Sequence, residues 1–341
     1  MRAVHPQQSE LRRDPFRPGW VILAPGRAAR PQPPVTHPLL DDDVPGPFAE
    51  GNEIMTPPEV FALRAPESLP NGPGWRVRVV PNLYPALRVE HAALGWAQGP
   101  SDAMGGAGAH EVIIEDPDRN ADFGNMPVAR VMDVLLTWRA RLADLRRDDR
   151  LQCGVIFRHR GVEAGATQAH PHSQLIALPF IPPVVADELA AFTAYRAAHG
   201  RCPLCDVLRH ERQEQARLVA DFGGALVFAP FAARAPGEII AAPVDHPGPF
   251  EDAPDAVLGL LAQALRDGLK RVAFALGSPP YRMWLRTAPW RGDGPEKAGH
   301  HWYVDVAPVT NPTGAFEDAA GVRINTLTPE DAAAALRGAP G

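Results

Sequence analysis

One order of elements occurs twice along this chain of 341 residues. An internal duplication limits the possible folds more than any single motif does. In the first run an extended segment at 78–87 precedes a strand at 111–115. A helix is predicted over 127–147, because Val128, Val131, Met132, Leu135, Leu136, Leu142 and Leu145 recur on one face. A strand at 153–158 then leads through a turn to His170-Pro171-His172. In the second run 225–231 is followed by a strand at 238–242, a helix over about 254–276, a strand at 281–286 and another at 301–306. Each run reads strand, strand, helix, strand, strand, which is an α+β unit around an antiparallel sheet. Two such halves, 1–190 and 191–341, are expected to join their sheets into one pseudo-symmetric domain.

The repeat also aligns polar residues. His170-Pro171-His172 falls opposite His301-Trp302-Tyr303, so His170 matches His301 and His172 faces a tyrosine position. Arg119 matches His246 in the same way. One half therefore keeps a nucleophile and the other a metal site. Strand residues alternate faces, so His170, His172 and Gln174 are expected to point the same way, backed by the apolar run 175–179. A neutral imidazole attacks phosphorus or binds a metal, and an amide N–H stabilises charge developing on a phosphoryl oxygen. Gly165-Ala166-Thr167 leads into this strand.

Cys202 and Cys205 form a Cys-x-x-Cys pair with knuckle spacing, which reads as a metal or a redox motif. With His246 and His301 they make two thiolates and two imidazoles, a set that tetrahedral zinc favours. Such a site is structural, since four protein ligands leave no open position. His300 is the alternative fourth ligand, although strand alternation turns it away. A buried free pair or a redox dithiol are the other readings of the two cysteines.

Composition sets the context. Hydrophobic residues make up 45% and charged residues 22%, ordinary for a globular protein. The net charge of −6 and the scattered basic residues argue against nucleic acid as a partner. The first twenty residues lack an apolar core, and no apolar run is long enough to cross a membrane. Three cysteines make no disulfide framework, which points to a reducing, cytosolic compartment.

On these residues the chain resembles the galactose-1-phosphate uridylyltransferase family of the histidine-triad superfamily. The likeness runs through 13–16, 20–31, 51–59, 79–87, 108–115 and, most specifically, 164–174, with further matches at 316–317 and 329–333. It implies a ping-pong nucleotidyl transfer between a nucleotide sugar such as UDP-glucose and a hexose 1-phosphate, in a homodimer. His172 would be the nucleophile, the carbonyl of His170 would orient it, and Gln174 would hold phosphoryl oxygens. Gly165, Ala166 and Thr167 would bring backbone amides to the phosphates. Arg27 and Arg30 match arginines near phosphates and sugar, Asn82 and Phe157 match the nucleoside pocket, and Glu317 matches a sugar-hydroxyl ligand.

The chain also departs from the family. Gly46, Ala49 and Arg119 stand where many members have two cysteines and a histidine of a first zinc site, so one zinc is expected, in the C-terminal half. His159 and Arg282 stand where asparagine is usual. The donor base is therefore open. An ADP-sugar or dinucleoside-polyphosphate phosphorylase, a degenerate nucleotide-binding protein and a simple hydrolase are the competing readings.

Overall fold

The computed structural model describes residues 8–29, 46–291 and 299–341. In chain order, β1 (Glu10–Arg12) and β2 (Val21–Leu23) come first. They are followed by β3 (Phe61–Arg64), β4 (Trp75–Pro81), a separate hairpin of β5 (Gly95–Gln98) and β6 (Ser101–Met104), and β7 (Ala109–Ile114). Helix α1 (Val128–Leu145), β8 (Cys153–Arg160) and β9 (His172–Leu178) complete the first run. Helices α2 (Pro183–His199) and α3 (Pro203–Glu214) lead to β10 (Leu218–Asp221), β11 (Ala225–Phe228) and β12 (Ile239–Pro243). Helix α4 (Asp255–Leu276), β13 (Tyr281–Arg286) and β14 (Tyr303–Pro308) complete the second run, before α5 (Ala315–Ala320), β15 (Arg323–Asn325) and α6 (Pro329–Arg337).

Ten strands form one antiparallel sheet in the order β3-β4-β7-β9-β8-β13-β14-β12-β11-β10. Each run of five has the same internal order: first, second, third, fifth, fourth. In each, one long helix joins the third strand to the fourth. The two runs meet where β8 pairs with β13, with Phe157 opposite Trp284 and His159 opposite Arg282. The architecture is α+β, as the sequence led us to expect. Each run has five strands where four were read, the additions being β3 and β10 at the sheet edges. Both are four residues long. Helices α2 and α3 were also not foreseen, and residue 190, the expected division, lies inside α2.

Helices α1 and α4 cover one face of the sheet. Their buried side chains, among them Val131, Leu135, Trp138, Leu261, Leu265 and Val272, pack on Ile113, Ile156, Leu175, Met283 and Val306 in one core. The other face carries smaller apolar clusters: Phe48 with Trp75, Val112 and Ile114, and Phe16 with Phe192, Phe228 and Tyr303. The N-terminal segment lies with the second run. There β2 pairs in parallel with β15, and Arg12 meets Glu330 at 2.8 Å. Buried Arg17 bridges Asp14 at 2.6 Å and Glu238 at 2.7 Å. No described helix is long and apolar enough to cross a membrane.

Trp138 joins the helical layer to the strand that opens with His172. Its indole N–H donates to the Ser173 hydroxyl at 2.9 Å, and the ring is fully buried. Trp138→Ala is expected to lower stability by about 3–5 kcal/mol. Trp138→Phe removes the hydrogen bond with much less loss of volume, and is expected to cost about 1 kcal/mol. Denaturant midpoints of the two variants check this order.

Candidate active site and metal cluster

His172 opens β9, and its side chain lies on the face away from the helices, as does that of Gln174. Ser173, between them, points into the helical layer. Strand alternation thus places His172 and Gln174 together as expected. His170 precedes the strand, so its ring is placed by hydrogen bonding instead. Its Nε2–H donates to the carbonyl of Asp116 at 2.7 Å. The carbonyl of His170 in turn accepts from Nδ1–H of His172 at 2.8 Å. That bond fixes the tautomer and leaves Nε2 of His172 as the basic nitrogen. Phe48, between positions 46 and 49, sets its ring edgewise on both imidazoles, 5.3 Å from His172 and 6.4 Å from His170.

Electrostatics match this geometry. Burial pushes the His172 imidazolium down to about 4, and the nearby Arg158 guanidinium acts in the same direction. Burial also lowers His170, assisted by Arg119. His159 is lowered by burial and then by Arg282, which lies opposite it across the β8–β13 pairing. The imidazole of His172 is therefore uncharged at neutral pH, and so able to attack.

The other residues read from the sequence divide among three places. Phe157 pairs with Gln174 across β8 and β9, on the nucleophile's face, and its ring lies 5.4 Å from that of His159. Asn82 follows β4 and sets its amide 3.1 Å from the ring of His110, whose Nε2 also meets Gln174 at 2.8 Å. Arg27 and Glu317 line a cavity of about 670 Å³, with Arg234, Arg282, Trp284 and Arg323. His159 and His170 line a smaller polar cavity of about 210 Å³, with Arg119, Arg158, Arg160 and Gln168. Gly165, Ala166 and Thr167 lie between β8 and β9. Gly165 takes φ of +105° and lies against the His159 ring. Arg282 donates from Nε to the carbonyl of Ala164 at 3.0 Å, bringing the large cavity up to this turn. Arg30 lies outside the described residues.

Cys202, Cys205, His246 and His301 come together with all four donor atoms within 4.8 Å of one another. Cys202 caps the N-terminus of α3 in an extended conformation and Cys205 sits in its first turn. Sulfur-to-nitrogen distances are 3.4 Å and 3.7 Å from Cys205 to His301 and His246, and 3.9 Å from Cys202 to His301. Ligand bonds of about 2.0–2.3 Å in a tetrahedron separate neighbouring donors by about 3.3–3.8 Å. The set therefore fits a metal ion of that size. His301 donates from Nε2 to the carbonyl of Pro243 at 2.9 Å, which turns Nδ1 toward the thiols. His300 turns away and meets Glu188 at 3.0 Å.

The His172 ring is expected to titrate near pH 4, well below an ordinary histidine. It would stay neutral through pH 5–7 and gain charge only as pH falls further. Ring-proton chemical shifts followed against pH, assigned with a His172→Asn variant, check this. A midpoint near 6.5 would show that burial does not hold the ring neutral.

Known proteins place this geometry. The family described as galactose-1-phosphate uridyl transferase, N-terminal domain, matches residues 77–182. ADP-glucose phosphorylase of Arabidopsis thaliana is 32% identical over 340 residues, covering 98% of this chain and 94% of that protein. Galactose-1-phosphate uridylyltransferase of Thermotoga maritima is 27% identical, covering 96% of this chain and 98% of the relative. A crystal structure of the Arabidopsis thaliana ADP-glucose phosphorylase with bound ADP-glucose superposes with a TM-score of 0.83 at 30% identity, covering 98% of this chain and 99% of that one. Identity of this degree over almost the whole length makes the chain an enzyme of the galactose-1-phosphate uridylyltransferase family, within the histidine-triad nucleotidyltransferases.

Proposed function

We propose that this enzyme moves a nucleotidyl group through a covalent intermediate on His172, with a nucleoside diphosphate sugar as donor. The observation that carries the proposal is the buried, uncharged imidazole whose Nδ1–H is held by the carbonyl of His170. In the first step Nε2 attacks the α-phosphorus. The bond from that phosphorus to the bridging oxygen breaks, and hexose 1-phosphate leaves. In the second step a phosphate oxygen of the acceptor attacks the same phosphorus and the P–N bond breaks, restoring His172. Gln174 donates to the phosphoryl oxygens, and backbone amides of the 165–167 turn approach the phosphates. Asn82 and Phe157 belong to the nucleoside side, and the cavity of Arg27 and Glu317 takes the hexose.

Between donors, we favour an adenine nucleotide sugar with inorganic phosphate as acceptor, yielding a nucleoside diphosphate. Its support is the greater likeness to an ADP-glucose phosphorylase, 32% against 27% for a uridylyltransferase of similar coverage. Uridylyl transfer to a hexose 1-phosphate is the second reading, supported by that same 27% relative. The division of labour between residues 1–190, with the nucleophile, and 191–341, with the metal cluster, belongs to this proposal.

We also propose that Cys202, Cys205, His246 and His301 hold one zinc ion. Bound there, zinc would tie the start of α3 to the segments after β12 and before β14. It would supply structure rather than chemistry, since all four donors come from protein. Purified protein is expected to contain one zinc per chain by elemental analysis. Cys205→Ser is expected to lose it and to unfold at lower temperature. Zinc at wild-type content in that variant would sink the assignment.

The transfer itself is tested by intact-protein mass spectrometry at neutral to alkaline pH, because the P–N bond is acid-labile. ADP-glucose is expected to leave an adenylyl adduct that phosphate discharges and that His172→Asn abolishes. A uridylyl adduct from UDP-glucose alone would select the second reading. No adduct from either donor, with nucleotide still bound, would overturn the covalent mechanism.

A further inference from the structure

His110 was not singled out by any motif, yet it touches the residue read as the phosphoryl ligand. It lies on β7 opposite Ile176 of β9, while Gln174 pairs with the next residue on the same face of β7, Val112. The two side chains are therefore diagonal neighbours across adjacent strands, a separation that long side chains bridge. His110 Nε2 lies 2.8 Å from Gln174 Oε1.

The direction of that hydrogen bond follows from a third group. The backbone N–H of Ala86 donates to Nδ1 of His110 at 3.1 Å. A backbone amide nitrogen can only donate, so Nδ1 carries a lone pair. A neutral imidazole has one N–H, which must then sit on Nε2. Nε2–H donates, and the Gln174 carbonyl accepts. Asn82 also sets Nδ2 3.1 Å from the same nitrogen, its Oδ1 being taken by the Tyr84 N–H at 2.9 Å; an amide N–H cannot bond a nitrogen that itself donates, so the acceptor that meets Nε2–H is Gln174. The His110 carbonyl accepts from the Asn82 backbone N–H at 2.8 Å, holding the ring's own strand end in place.

A glutamine amide has two ends of opposite polarity and nearly equal shape. Turned one way, it gives N–H donors to a phosphoryl group. Turned the other way, it gives a carbonyl oxygen that repels one. We propose that His110 is a positioning residue for nucleotidyl transfer: by donating to Oε1 it holds the Gln174 amide with its N–H donors turned to the reacting phosphoryl group. Ala86 sets the ring, the ring sets the amide, and the amide meets the charge that grows in the transition state. This rests on the reading of Gln174 as the phosphoryl ligand.

A double-mutant cycle tests it, with the single-turnover rate of adduct formation as readout. The proteins are wild type, His110→Phe, Gln174→Ala and the double variant. Loss of a transition-state donor costs about 100-fold or more, and a mis-set donor is expected to cost about 10–100-fold. His110→Phe is expected to slow adduct formation while leaving the half-saturating donor concentration unchanged. The double variant is expected to be no slower than Gln174→Ala alone. His110→Gln, which restores an N–H donor, is expected to recover most of the rate. Multiplicative losses, a His110→Phe enzyme as fast as wild type beside a slow Gln174→Ala, or a His110→Gln as slow as His110→Phe would each overturn the proposal. A Gln174→Ala enzyme that forms adduct at the wild-type rate would instead overturn the reading of Gln174 on which it stands.

Discussion

Pairing of β8 with β13 holds the two halves of the sheet together, and a buried charge network on one side of that seam secures it. Arg158 bonds Glu115 at 2.8 Å and Asp122 at 2.9 Å, and Tyr281 of β13 donates to Asp122 at 2.6 Å. Arg158 and Tyr281 also touch directly across the seam. Burial favours a neutral Glu115 and works against the Arg158 cation, and the close carboxylates hold that cation firmly charged. Removing one member leaves an unpaired charge in the interior, a loss of about 3–5 kcal/mol. The opposite side of the same strands carries Phe157, His159, Arg282 and Trp284. The fastening of the fold and the floor of the site are two faces of one pairing.

This division of faces explains how a fold of ordinary composition holds a reactive imidazole. The helical layer supplies the burial that a chain of this size needs. The open face is then free to carry polar groups in pairs. His172 is buried against Phe48 on the face away from the helices, and that burial favours its neutral form. The carbonyl of His170 accepts a hydrogen bond from the remaining ring N–H. Phe48 lies between Gly46 and Ala49 and packs an aromatic edge on the two histidines.

Much of this was legible in the sequence, for a stated reason in each case. His172 and Gln174 stood out because polar residues two apart in an apolar strand must share a face. The Cys202, Cys205, His246 and His301 cluster was legible because the Cys-x-x-Cys spacing offered two thiols and the duplication aligned His301 with His170 and His246 with Arg119. Helix α1 followed, to within one or two residues, from apolar spacing, and α4 from its place in the repeated order. Helix α2 left no such trace, since it buries only Glu188 and Phe192 along its length. His110 was invisible because its partner lies 64 residues away and only strand register joins them. That Arg27 and Glu317 line one cavity depends on the N-terminal segment crossing to the second half, which no local pattern announces.

That crossing has a consequence for the order in which the molecule assembles. Arg12 and Glu330 meet although 318 positions separate them, and β2 finds its parallel partner in β15. Closing so long a loop is entropically slow and gains nothing until the surfaces it joins are already built. The hairpins, the two helices on the sheet and the seam between halves form from nearer contacts. Arg27 follows β2 and Glu317 precedes β15, so the two walls of the large cavity belong to the last contacts made. A chain emerging from the ribosome would thus have β9 paired well before the large cavity exists.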